Sequence, residues 1–115
     1  MNKTVIFAFK GNPICFVHVL LNGIDIHEMG GSVKIVLEGE ATRLIIDLRK
    51  TEHPLHVLYK KVKELELIDA VCRACALKMG ALEAAEEEGL KIADEMAGHV
   101  GMAPYIEEGY AIVTL

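Results

Sequence analysis

Serine is almost missing from this sequence. The one residue, Ser32, closes a Gly30-Gly31-Ser32 turn just before a β-rich run. A strand entrance is the wrong edge of a parallel sheet for chemistry, so serine-based hydrolysis is disfavoured. The glycine patterns that cradle phosphates are missing too. No strand-like run is followed by G-x-G-x-x-G, and there is no G-x-x-x-x-G-K-[ST], which argues against nicotinamide dehydrogenases, kinases and GTPases. Basic charge is in short supply: 12 Lys and Arg stand against 17 Asp and Glu, a net charge of −5. A chain of this balance, with a pI near 5.5, is a poor ligand for nucleic acid or an anionic membrane surface. No apolar run approaches the ~20 residues of a membrane span. The apolar run ending at Lys10 is too short for a signal peptide, so a cytoplasmic protein is expected. Cysteine is scarce and odd in number, three residues with two of them close together. That does not suit a secreted disulfide framework, and leaves free thiols, metal ligands or sulfur-handling groups.

What remains is a chain of 115 residues, 52% apolar and 25% charged. This is enough to build one core and too little for two, so residues 1–115 are expected to form a single domain. Residues 3–9 are apolar almost throughout, as in a strand buried on both faces. Asn12 and Pro13 then suit the cap and first turn of a helix over 14–29, with Val17, Leu20, Leu21 and Ile24 at the spacing of one face. Strands are expected at 33–37, 68–71, 90–93 and 110–115. Helices are expected at 41–50, from Leu55 through Leu65, at 74–88 with an interruption at Gly80, and at 103–108. The alternation predicts a three-layer α/β/α fold with a mostly parallel sheet of about five strands. Chemistry in such sheets gathers beyond the carboxyl ends of the strands, which singles out residues 10–15, 38–42, 72–76 and 94–102.

The strongest cluster in those loops is Cys72-Arg73-Ala74-Cys75. Two cysteines at a strand-to-helix junction can share a site, and helix N–H groups with Arg73 nearby favour a thiolate. Cys75, deeper in the helix start, is the better nucleophile candidate, and Cys72 is a candidate resolving thiol. Cys15 lies on a loop of the same sheet edge, and His99, after Asp94-Glu95-Met96, is placed to act as a base or hold a thiolate. Cys15, Cys72, Cys75 and His99 together also make a conceivable zinc site. Inert buried thiols are the plainer alternative. Glu38 and Glu40 raise a general-acid idea, although a turn and N-cap role is commoner. Lys60, Lys61, Lys63 and Glu64, and the run Glu86-Glu87-Glu88, read as solvated helix faces. His18, His27, His53 and His56 suit surface or capping roles.

With these residues in place, the chain resembles the DsrE/DsrF-like sulfur-relay family over nearly its whole length. The resemblance rests on the element order, on Phe9-Lys10-Gly11-Asn12-Pro13 after an apolar first strand, on Val71-Cys72-Arg73-Ala74-Cys75-Ala76, and on Tyr105-Ile106-Glu107-Glu108-Gly109-Tyr110. It implies a small cytoplasmic α/β domain that assembles with other subunits. It also implies a cysteine that carries persulfide sulfur: Cys75, with Cys72 the second possibility. The partners implied are a sulfur donor or acceptor protein or a small thiol, with no resident cofactor. A homo-oligomer is also expected from the mean hydropathy of +0.32 in so short a chain. The competing reading is a non-catalytic module that binds a metal or small ligand, or senses redox state, through the clustered cysteines.

Overall fold

β-Branched and aromatic residues crowd the first strand, and their burial on both faces sets the centre of the molecule. The computed structural model describes residues 2–115. Strand β1 (Lys3–Ala8) pairs in parallel with β2 (Ser32–Leu37) on one side and β5 (Ala111–Thr114) on the other. β3 (Ile68–Cys72) and β4 (Ile92–Ala93) extend the sheet beyond β2, giving five strands in the order β4-β3-β2-β1-β5 with every pair parallel. The expected parallel α/β architecture is therefore present.

Helix α1 (Pro13–Glu28) starts as its sequence predicts, with Pro13 in the first turn and the Ile14 N–H donating to Asn12 Oδ1 at 2.8 Å. Its buried face differs from the expected one. Phe16, Val19, Leu20, Gly23 and Ile24 face inward, while Leu21 is exposed. Gly23 explains the rotation. A Cβ there would lie 2.9 Å from Ile35 Cδ1, so the bare backbone lets the helix sit close on β2. The helix expected over 41–50 is instead a 3₁₀ turn (Gly39–Arg43) followed by α2 (Leu44–Leu48). Thr42 Oγ1 donates to the Gly39 carbonyl at 2.8 Å, a local bond that competes with α-helical pairing. α3 (His56–Glu64) follows.

The helical stretch after β3 breaks where Gly80 predicts, into α4 (Arg73–Lys78) and α5 (Leu82–Glu87). Gly80, at φ 71°, closes α4: its N–H donates to the Leu77 carbonyl, and the Ala81 N–H to that of Ala76. The break turns α5 back towards α2 and α3, and this corrects the reading of the acidic run as a solvated face. Glu88 Oε1 accepts from the buried Tyr59 hydroxyl at 2.6 Å and pairs with Lys63 at 3.0 Å, while Glu87 pairs with Arg49 at 2.7 Å. Only Glu86 remains simply exposed.

The two faces of the sheet are covered unequally. Ile6, Ala8, Ile35, Leu37 and Val71 meet α1, α2, α3, α4 and α5 in the larger core. The opposite core is small: Val5, Phe7, Val36, Ala70, Cys72, Ala93 and Val100 lie under the two tyrosines around the short helix α6 (Ala103–Glu107). Tyr105 stands edge-on to Phe7 at 5.6 Å and to Tyr110 at 6.3 Å. Lys34 closes this core from the solvent side, with Nζ over both tyrosine rings and 3.7 Å from Asp69.

The α3–α5 tie has a pH signature. Burial pushes the Glu88 pKa up, but the Tyr59 hydroxyl, Lys63 and Arg49 outweigh it and hold it below the ordinary 4.5. The unfolded chain therefore binds the proton more readily, so the contribution is present above pH ~4.5 and lost as pH falls through the lower folded value. Urea unfolding followed from pH 6 to pH 3 should show a decline in stability that is shallower in Glu88→Gln than in the parent.

Candidate functional site

Cys72 ends β3 with its side chain in the small core, on the same face as Ala70 two residues earlier. Helix α4 begins at the next residue. Cys72 is thus its N-cap and Cys75 its third residue, a spacing that puts both sulfurs on one side of the first turn. Cys72 is fully buried and Cys75 half-buried. α4 spans only 6 residues, and the Ala74 N–H already donates to the Gly98 carbonyl at 2.9 Å. The helix-terminus support expected for a thiolate is therefore weaker than a helix over 74–88 would provide.

A tight hairpin compensates. Met96 and His99 exchange both backbone hydrogen bonds at 2.9 Å, and the two residues between them, Ala97 and Gly98, have φ of 51° and 91°. Two successive positive φ values mark a type I′ turn, whose second position suits glycine. Because Gly98 also accepts the Ala74 N–H, the hairpin is clamped onto the start of α4. The clamp delivers the imidazole: His99 Nδ1 lies 3.2 Å from Cys72 Sγ and 3.7 Å from Cys75 Sγ. The three donor atoms all fall within 4.8 Å of one another.

Burial pushes the Cys72 thiol up to about 11, against backbone N–H groups of Cys75 and Val100 that favour its charged form. Cys72 is therefore a thiol at neutral pH. Glu38, at the end of the neighbouring strand β2, is only 7% exposed. It makes neither the cap bond nor the pairing with Glu40 that its sequence context suggests. Its side chain caps nothing, Glu40 is exposed, and burial raises the Glu38 pKa with a smaller opposing pull from His99.

Of the residues singled out in the sequence, Cys72, Cys75 and His99 converge. Arg73 is exposed beside them. Cys15 lies apart. It sits in the first turn of α1, on the larger-core face, after a strand two positions from β3, or about 10 Å at ordinary strand spacing. Glu38 is the residue that sequence reasoning placed in a turn. The signal available was its position directly after β2 on the carboxyl edge, but its burial is a tertiary effect.

No family model matches the chain. It belongs to the same family as the uncharacterized protein MJ0733 of Methanocaldococcus jannaschii, with 37% identity over 104 residues that cover 90% of this chain and 83% of that protein. An uncharacterized protein of Archaeoglobus fulgidus is 49% identical over 35 residues, 30% of this chain and 95% of its own length. Among solved structures, a conserved protein of unknown function from Bacteroides thetaiotaomicron, BT1422, matches the fold with a TM-score of 0.68. That match covers 98% of this chain and 95% of the other at 13% identity, and it carries the fold alone.

Two outcomes follow from the site geometry. During alkylation of the folded protein at pH 7–8, peptide mapping should find Cys72 modified last, because it is buried and protonated, with unfolding removing the difference. Replacing Gly98 with Ala should cost about 1–2 kcal/mol in urea unfolding, the ordinary cost of a side chain in the left-handed region.

Proposed function

We propose that the protein carries sulfane sulfur on Cys75 as a persulfide and hands it to an acceptor thiol. The observation that carries this reading is a half-buried, reachable sulfur 3.7 Å from an imidazole nitrogen and next to a second, buried thiol. The DsrE/DsrF-like sequence features support the same assignment. Nδ1 of His99 is placed to take the Cys75 proton, leaving a thiolate that attacks the outer sulfur of a donor persulfide. The new bond joins that sulfur to Cys75 Sγ. The donor's own S–S bond breaks, and the donor leaves as a thiolate that recovers the proton. Release repeats the exchange, with an acceptor thiolate attacking the outer sulfur and Cys75 departing. Cys72 acts as a resolving thiol behind it, and Arg73 adds positive charge at the entrance.

The donor and acceptor in this reading are a sulfur-carrying protein or a small thiol. A homo-oligomer belongs to the same proposal, supported by exposed apolar side chains such as Ile14 and Val57, each 76% accessible. No helix among the described residues is long and apolar enough to cross a membrane.

Metal-free, reduced protein incubated with a small persulfide donor should gain one sulfur atom by intact mass, and peptide mapping should place it on Cys75. Cys75→Ser should abolish loading. Cys72→Ser and Cys15→Ser should still load, with altered release. His99→Ala should load slower by about 10²-fold or more, the usual contribution of a positioned base. Loading of Cys75→Ser equal to the parent would overturn the assignment of Cys75, and no loading on any cysteine of the parent would overturn the relay.

A further inference from the structure

We infer that Cys72, Cys75 and His99 form a three-ligand site for a soft d¹⁰ divalent cation of the zinc class, with a fourth position open to solvent. The inference goes beyond sulfur transfer, because it needs the same atoms but neither a persulfide nor an acceptor. Its first ground is geometry. Zinc–sulfur bonds of about 2.3 Å and zinc–nitrogen bonds of about 2.0–2.1 Å at tetrahedral angles set sulfur–nitrogen separations of roughly 3.6 Å. Here Nδ1 lies 3.2 Å from one sulfur and 3.7 Å from the other, and no pair of the three donor atoms is more than 4.8 Å apart. Movements of a few tenths of an ångström in these two contacts would match a tetrahedral ion.

The second ground is the donor set. Two thiolates and an imidazole favour zinc or Cu(I) over magnesium or calcium, which take oxygen ligands. The two-residue spacing of Cys72 and Cys75 is that of a structural zinc knuckle, but the chain brings three ligands rather than four. Cys15, the obvious fourth candidate by sequence, does not join the cluster. The exposed side of His99 therefore leaves the last position to water or to an incoming thiolate. Zinc would tie up both sulfurs, so metal and persulfide should exclude one another.

The test titrates metal-free, reduced protein with Zn²⁺ in competition with a chromogenic chelator of micromolar affinity, alongside native mass spectrometry. One zinc per chain is expected. Cys75→Ser and His99→Ala, both at solvent-reachable positions, should each weaken binding at least 10-fold. Cys72→Ala should do the same if it folds by circular dichroism. Cys15→Ser should bind as the parent does. Failure of the parent to take zinc from the chelator, or uptake unchanged in both Cys75→Ser and His99→Ala, overturns the site. Persulfide loading is measured separately on the metal-free protein and again on the zinc-loaded protein. Sulfur loading without zinc uptake removes the metal and leaves the relay standing. Zinc uptake without sulfur loading removes the relay and leaves the metal. Equal sulfur loading with and without bound zinc overturns the mutual exclusion.

Discussion

The handedness of parallel crossovers governs the rest of this molecule. Connections from β1 to β2, β2 to β3 and β3 to β4 all step the same way along the sheet, so right-handed crossovers place their helices on one face. The last connection steps back across the whole sheet to β5 and must cross the other face. It does so with the hairpin at 96–99 and the short α6. The larger core therefore has five helices over it, and the smaller one has tyrosines, Lys34 and a loop. Cys72 points into the thinly covered face. That is why a fully buried thiol lies one side chain away from solvent, and why His99 can be both exposed and in contact with it.

The hairpin transmits this topology to the chemistry. Its turn needs two residues at positive φ, and only one of them is glycine. Ala97 at φ 51° holds a conformation that costs a side chain about 1–2 kcal/mol. Three contacts offset that cost: the paired backbone bonds between Met96 and His99, the Ala74–Gly98 bond, and the burial of Val100 in the small core. The first closes the loop on itself, the second ties it to α4 and the third seats it on the sheet. The imidazole and the two sulfurs are thus positioned by a local clamp, and the strand ends supply only the platform.

Much of the fold was legible because its signals are local. Asn12-Pro13 starts α1, Gly80 ends α4, and the β-rich runs mark four of the five strands with little error. Errors fell where a neighbour decides. The inward face of α1 turns on how closely Gly23 approaches Ile35, which periodicity does not encode. Helix 41–50 became a 3₁₀ turn and a short α-helix because Thr42 bonds back to Gly39. Glu88 read as solvated until α5 folded back on Tyr59. The site divides in the same way. The cysteine pair and His99 were legible from the rule that chemistry gathers at the carboxyl edge. The separation of Cys15 depends on strand order, and the burial of Glu38 on tertiary packing, neither of which spacing reveals.

Burial explains why the two thiols differ. Cys72 and Glu38 come from adjacent strand ends, and for both of them desolvation disfavours the charged form. The His99 imidazole touches the Cys72 sulfur and, by its charge, opposes the effect of burial on Glu38. Cys75 is less enclosed, so it can present its sulfur outward while the buried pair sets the electrostatic background.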